Sequence, residues 1–239
     1  MRSLRELLDG FDLPGVAGAR AVEYRMPCAA LLGGDLPPGH LHVWCGPPGA
    51  GKTAFLLGLL HDAARHGRTS LLATYDLSAP AVALRLLAMT SGVAVHDLET
   101  RVLSGDSAAA VASARARLSA LPLHVLEARG LGVASLDDRV VRSPSRVEVL
   151  GIDVLEAVAH GPADAPVVQD LADLASRRFV SVVCASRAGV AGRADRVGLL
   201  APDARRGSVE ATVVENRHGG RVAHLYSVDE RAARLIDAP

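Results

Sequence analysis

Leu41-His42-Val43-Trp44-Cys45-Gly46-Pro47-Pro48-Gly49-Ala50-Gly51-Lys52-Thr53 decides the reading of this chain. An apolar run of strand type leads into the spacing G-x-x-x-x-G-K-[ST], and the residues after Thr53 carry a helical pattern to about Arg65. A strand, a glycine-rich loop and a helix in that order make a phosphate cradle. The backbone N–H groups from Gly46, Pro47, Pro48, Gly49, Ala50 and Gly51 onward, less those the prolines lack, curl around the anion at the helix N-terminus. Lys52 reaches the β- and γ-phosphates, and Thr53 offers its hydroxyl to Mg²⁺. Composition sharpens the assignment, because Lys52 is the only lysine among 26 basic residues. Arginine is a planar fork and does not replace a compact ammonium inside a tight loop of amides. The competing reading, a Gly/Pro turn beside a surface lysine, leaves both the spacing and the flanking elements unexplained.

Working outward, apolar runs alternate with helical patterns. Strands are predicted at Leu41 to Cys45, Ser70 to Tyr75, Leu123 to Leu126, Val147 to Ile152 and Val180 to Ala185. Helices are predicted from Gly51 to about Arg65, Ala79 to Thr90, through a variable section to Leu118, and from Ala165 to Arg178. Further strands are expected near Val197 to Leu200, Val209 to Val214 and Val222 to Tyr226. That order predicts an α/β fold: a mainly parallel sheet covered by helices, with an antiparallel C-terminal edge. Residues 1–38 stand apart, with an amphipathic pattern (Leu4, Leu7, Leu8, Phe11) running into Gly and Pro. We read them as an N-terminal helix and linker, and residues 39–239 as a single nucleotide-binding domain.

The charge balance excludes some classes of function. With 26 basic and 26 acidic residues, no global field draws the chain to nucleic acid or an anionic membrane. Cys28, Cys45 and Cys184 are odd in number and widely spaced, which suits reduced core thiols better than a disulfide framework or zinc site. No apolar run approaches the roughly 20 residues of a membrane span, and the N-terminus lacks a signal-peptide pattern, so a cytoplasmic protein without a membrane partner is expected. The histidines show no H-E-x-x-H or H-x-x-E-H spacing and the sequence has no G-x-S-x-G elbow, so there is no case for a metal hydrolase or a serine hydrolase.

The segment Leu31-Leu32-Gly33-Gly34-Asp35-Leu36-Pro37-Pro38-Gly39-His40-Leu41 leading into the phosphate loop resembles the corresponding part of RecA-superfamily ATPases. From about residue 30 to 235 the chain looks like the C-terminal motor domain of DnaB-type replicative helicases. The resemblance implies a RecA-like three-layer sandwich that binds ATP with Mg²⁺ and hydrolyses it in a homo-oligomer, a ring or filament. Thr74-Tyr75-Asp76-Leu77-Ser78, followed by Arg85-Leu86-Leu87, matches the segment that carries the family's catalytic glutamate. Val149-Leu150-Gly151-Ile152-Asp153 matches the strand whose aspartate orients Mg²⁺. Cys184-Ala185-Ser186-Arg187 falls at a strand-end polar sensor, which implies a nucleotide contact for Ser186. Glu215-Asn216-Arg217-His218-Gly219 falls where a lysine and an arginine reach a neighbour's γ-phosphate, so Arg217 is the candidate trans finger.

Several residues depart from that pattern. Asp76 is one methylene shorter than glutamate, and it reads equally as the N-cap of the helix that follows. Arg217, close to Gly219-Gly220, also reads as an ordinary hairpin residue. Glu215 puts a carboxylate where a lysine is implied. Two channel loops that bind DNA in the family correspond here to Ala157 to Pro166, which has no Lys or Arg, and to the short Ala188 to Arg196 interval. With 3% aromatic residues the chain is poor in stacking platforms, and Arg187, Arg193, Arg196, Arg205 and Arg206 are its best basic cluster. Three functions stay open on these residues: an oligomeric ATPase, a nucleotide-dependent regulatory module with a protein partner and little hydrolysis, and an accessory factor of replication or recombination that binds single-stranded DNA. A small-molecule kinase, which a phosphate loop alone also allows, is disfavoured by the lead-in and the order of the later matches.

Overall fold

The computed structural model describes residues 36–100, 103–158, 165–187, 189, 194–203, 208–217, 223–229 and 234–237. The expected N-terminal helix and linker therefore lie outside the described residues up to position 35. So do Cys28, Arg193, Arg205, Arg206 and most of both channel-loop intervals.

Nine described strands form one sheet in the order β3-β2-β4-β5-β1-β6-β7-β8-β9. Strands β1 (Leu41–Cys45), β2 (Ser70–Thr74), β4 (Val149–Asp153) and β5 (Ser181–Ser186) are buried at every residue. They run parallel, and their continuous apolar character is what a sheet covered on both faces demands. On one side β3 (Leu123–Glu127) closes the sheet as a half-exposed parallel edge. On the other side β6 (Arg196–Asp203) adds parallel to β1, and β7 (Ser208–Asn216), β8 (Ala223–Asp229) and β9 (Arg234–Asp237) follow in antiparallel succession. The antiparallel C-terminal edge is as expected, and β9 extends it by a short strand that the sequence did not suggest.

Side chains of β1 alternate between two cores, as the two-residue period of a strand requires. Trp44 faces the core under α1 (Lys52–Arg65), where Phe55, Leu56, Leu59 and Leu60 pack on Val149, Val183 and Ala185. Leu41, Val43 and Cys45 face the opposite core, under α7 (Ala165–Arg178), with Leu150, Ile152, Leu171, Leu174 and Cys184. Helix–sheet–helix layering of the RecA type follows. Cys45 and Cys184 are buried thiols, outside any disulfide. Burial raises the Cys184 thiol far above its ordinary range, so it behaves as core filler.

Helices α2 (Ala79–Ser91), α3 (Val95–Thr100) and α4 (Gly105–Ser119) make up the variable section, packing a small cluster of Ala88, Val93 and Leu98. Two elements were not foreseen. Helix α5 (Val133–Val141) buries Leu136 and Val140, and α6 (Leu155–Val158) is a single turn directly after β4.

The junction of β1 with β6 depends on glycine. A Cβ on Gly198 would stand 2.3 Å from the Trp44 ring, and one on Gly46 would stand 2.6 Å from the Leu200 carbonyl oxygen. Trp44 also packs on Phe55, with ring centroids 4.5 Å apart. Only a hydrogen at these positions lets β6 lie flat against β1 and the phosphate loop. The register of β6 on β7 shifts at Val197/Gly198, beside that close approach.

Candidate nucleotide site

Every parallel strand from β1 to β5 ends on the same side of the sheet, so the loops that follow them meet there. This crevice at the carboxyl ends of the strands is where open α/β sheets bind ligands. The loop after β1 leaves Pro47, Pro48 and Gly49 exposed while burying Gly46 and Ala50. Gly49 and Gly51 have φ of 81° and 77°, left-handed values that favour glycine. Gly46 N–H donates to the Ser186 carbonyl (3.1 Å), which ties the loop base to the end of β5, and Ala50 N–H donates to the Pro47 carbonyl (3.2 Å). No side chain caps α1, and its first turn holds no acidic residue. Its N-terminal dipole therefore meets the crevice without a competing carboxylate from its own turn.

Lys52 and Thr53 open that helix. Lys52 Nζ donates to the carbonyls of Gly46 (2.8 Å) and Pro47 (2.7 Å), so the ammonium lies along the inside of its own loop. Burial pulls its pKa below the ordinary lysine value, while the carboxylates of Asp153 and Glu156 act in the opposite sense. Thr53 Oγ1 donates to Asp153 Oδ2 at 2.9 Å, joining residues 100 positions apart in sequence. Asp153 ends β4 and is 7% exposed. Burial raises its carboxyl above the usual range, the Thr53 hydrogen bond opposes that shift, and the nearby charge of Asp76 adds to it. A buried carboxylate next to a hydroxyl is a hard, all-oxygen donor set of the kind Mg²⁺ accepts.

Asp76 lies beyond the end of β2 with its side chain 56% exposed. It does not cap α2. That role belongs to Ser78, whose Oγ accepts from Ala81 N–H at 3.4 Å, and this removes the capping reading of Asp76. Thr74 fixes the turn instead: its Oγ1 donates to the Leu77 carbonyl (3.0 Å) and accepts from Leu77 N–H (3.1 Å). The Asp76 carboxylate accepts from Arg187 Nη2 at 2.7 Å. Ser186 closes β5, and its Oγ donates to Glu156 Oε1 at 2.7 Å, the same oxygen that accepts from Arg187 N–H at 2.6 Å.

The phosphate loop, Asp153, Ser186 and Asp76 thus share one end of the sheet. Arg217 does not join them. It follows β7, whose last residue Asn216 pairs with Arg196 at the start of β6, and Arg217 N–H donates to the Asp195 carbonyl at 3.0 Å. Asp195 in turn holds Leu41 N–H, at the opposite end of β1 from the loop. The exposed Arg217 is separated from its own phosphate loop by the length of β1, roughly 16 Å at about 3.3 Å per residue.

Two residues at the crevice escaped the sequence reading. Glu156 organises the end of β5 from the one-turn helix after β4, and its only signal was an acidic residue three places beyond Asp153. Glu127, at the end of β3, accepts from Ala79 N–H at 2.6 Å and holds the first turn of α2; nothing local announced it.

Comparisons with known proteins agree with this architecture. The model of the DnaB-like helicase C-terminal domain matches residues 30–187, more than half of the chain. Among solved structures, an ATPase domain is similar with a TM-score of 0.75 and 14% identity over 85% of this chain and 86% of that one. A DnaB-like replicative helicase, described with its interactions with primase, gives 0.74 and 15% over 85% of this chain, which spans 58% of that helicase. The RadB recombinase gives 0.59 and 15%, covering 89% and 97% of the two chains. Comparison with curated protein sequences gave no match. Through its loop, its strand order and the extent of the match, the chain belongs to the family of DnaB-like helicase C-terminal domains.

Proposed function

We propose that this chain binds ATP with Mg²⁺ at the Gly46–Thr53 loop, hydrolyses it to ADP and phosphate, and works as a homo-oligomer. The observation that carries the reading is the convergence of Lys52, Thr53 and Asp153 at the mouth of an uncapped helix. Lys52 exchanges two neutral carbonyl partners for the β- and γ-phosphates, and the amides at the start of α1 take the remaining oxygens. Thr53 and Asp153 hold Mg²⁺, which when bound neutralises charge on the phosphate oxygens. Asp76 orients a water, and Arg217 serves a neighbouring copy. In this reading the ATP-binding domain is residues 39–239, and a cytoplasmic location fits its role. Among the described residues no helix is long and apolar enough to cross a membrane.

Calorimetric titration of the full chain with Mg-ATP tests the proposal. Lys52→Ala is expected to weaken binding about 100-fold, as loss of charge-assisted hydrogen bonds to phosphate implies. Equal affinity of variant and wild type sinks it. Turnover that rises with protein concentration, followed with the mass in solution, tests the oligomer.

A second reading, a nucleotide-dependent regulatory module with little hydrolysis, is favoured by the ion pair that occupies Asp76 and by the exposed carboxylate of Glu215. Single-turnover measurement separates the two: bound ATP that persists unhydrolysed supports the module and its protein partner. Family membership alone supports a DNA-binding accessory role in replication or recombination. Binding to single-stranded DNA that weakens steeply with salt is its expected mark.

A further inference from the structure

The Arg187–Asp76 pair crosses the candidate site. Arg187 follows β5 and Asp76 follows β2, and β4 lies between those strands, so the pair joins the segments on either side of β4, the strand that ends at Asp153. Arg187 is near enough to Lys52, and Asp76 to Asp153, for each charge to act on its neighbour, so the pair stands beside the candidate site. The backbone of Arg187 is pinned, because its N–H and the Ser186 hydroxyl share one oxygen of Glu156. Its side chain is not. Both partners are more than half exposed, 55% and 56%, and they meet through one guanidinium nitrogen and one carboxylate oxygen. An exposed, single-contact pair of this kind is weakly held. A phosphoryl group carries more charge than a carboxylate and offers oxygens to both arms of the fork, so it is the stronger partner for the same arginine.

We infer that Arg187 is a γ-phosphate-reading residue contributed by the chain's own site, and that Asp76 is its exchangeable partner. The terminal phosphate takes the guanidinium and thereby releases the Asp76 carboxylate. This rests on the nucleotide reading above and deepens it. It gives one arginine two consequences: preference for ATP over ADP, and a water-orienting carboxylate that is tied up until a terminal phosphate arrives. Lys52 cannot supply that discrimination by itself, since it contacts β- and γ-phosphates alike.

Affinities of wild type, Arg187→Gln, Asp76→Asn and the double variant for ADP and for a non-hydrolysable ATP analogue, both with Mg²⁺, test it. The substituted side chains are exposed, and thermal melting of each variant confirms folding. Arg187→Gln is expected to weaken the ATP analogue about tenfold while leaving ADP within about twofold. Asp76→Asn frees the arginine and is expected to tighten the analogue several-fold, with ADP unchanged. In the double variant that gain disappears, because the competition has lost its object. If wild type binds both nucleotides but Arg187→Gln weakens both equally or neither, the inference falls and the nucleotide reading stands. If Asp76→Asn tightens the analogue just as much without Arg187, the exchange falls. Wild type that binds neither nucleotide overturns both.

Discussion

The two flanks of β1 are built on different connections, and the difference sets where each can place a functional group. Toward β5, β4, β2 and β3 every strand is parallel, so each crossover returns the chain to the same starting edge and every strand ends at the same crevice. Lys52, Asp76, Asp153, Ser186 and Arg187 all come to that end by this rule. Toward β7, β8 and β9 neighbouring strands run antiparallel, so successive strands finish at alternate ends of the sheet. Arg217 therefore lands at the far end of the sheet, away from its own phosphate loop, which is the placement that the proposed role toward a neighbouring copy requires. One flank gathers the candidate site, and under the proposed trans role of Arg217 the other exports a residue from it.

The largest expected effect comes from breaking that export. Arg217→Ala is expected to lower ATP turnover about 1,000-fold, the low end for loss of an arginine that stabilises the transferring phosphoryl group, with no change in ATP affinity. Mixing separates a neighbour's arginine from a local one. Lys52→Ala and Arg217→Ala copies, each inactive alone, are expected to regain turnover together, because the first lends its Arg217 to the intact loop of the second. Arg217→Ala copies that hydrolyse at the wild-type rate erase the functional contrast between the flanks.

The seam between the flanks gives the next largest effect. A methyl group at Gly198 meets the Trp44 ring, a buried side chain that also packs on Phe55. Gly198→Ala is expected to cost about 2–3 kcal/mol, as overpacking does. That lowers Tm by roughly 5–10 °C for a chain of this size. Gly151→Ala, inside the parallel flank, looks equally tight, with its Cβ 2.5 Å from Leu60 Cδ1. That atom is the end of a flexible side chain, however, and a rotamer change relieves it, so about 1 kcal/mol is expected. Melting curves for both variants decide whether the seam or the parallel core is the less forgiving.

How much of this was legible in the sequence follows from how local each feature is. The phosphate loop is contiguous, and its strand, glycines, lysine and helix lie within 25 residues, from Leu41 to Arg65. Buried parallel strands are unbroken apolar runs, which is why β1, β2, β4 and β5 stood out within a residue or two of their ends. Helix α7 was legible over its full span, from Ala165 to Arg178. Helix α5 was not, because Val133–Val141 is short and follows Gly130 and Gly132. Partnerships were harder still. Asp76 and Arg187 are 111 residues apart, and nothing near either one says that they meet. The choice between Asp76 and Ser78 as the cap of α2 needed the turn that Thr74 sets, a contact made by a side chain whose identity alone does not reveal it.

The smallest expected effect is the most specific to the crevice. Asp153 is buried among groups that leave its charge undercompensated, and its carboxyl titrates above the ordinary value in the folded chain. A carboxyl whose folded pKa is raised binds protons more tightly folded than unfolded. Stability contributed by that proton is complete below the unfolded value and is lost as pH climbs through the folded one. Asp153→Asn removes the titration while keeping an oxygen that accepts from Thr53 Oγ1. The variant is therefore expected to melt like wild type at the acid end and to become more stable by about 1 kcal/mol at neutral pH, as removal of a functional charge commonly allows. Its affinity for Mg-ATP is expected to fall in the same conditions. A variant less stable than wild type at neutral pH, or one whose melting follows the same pH slope, would show that Asp153 is a structural residue of β4. Opposite signs for stability and binding mark a carboxylate kept for its ligand at a cost to the fold, and the same measurement on Gly198→Ala, where stability falls with no pH dependence, supplies the contrasting case from the other side of β1.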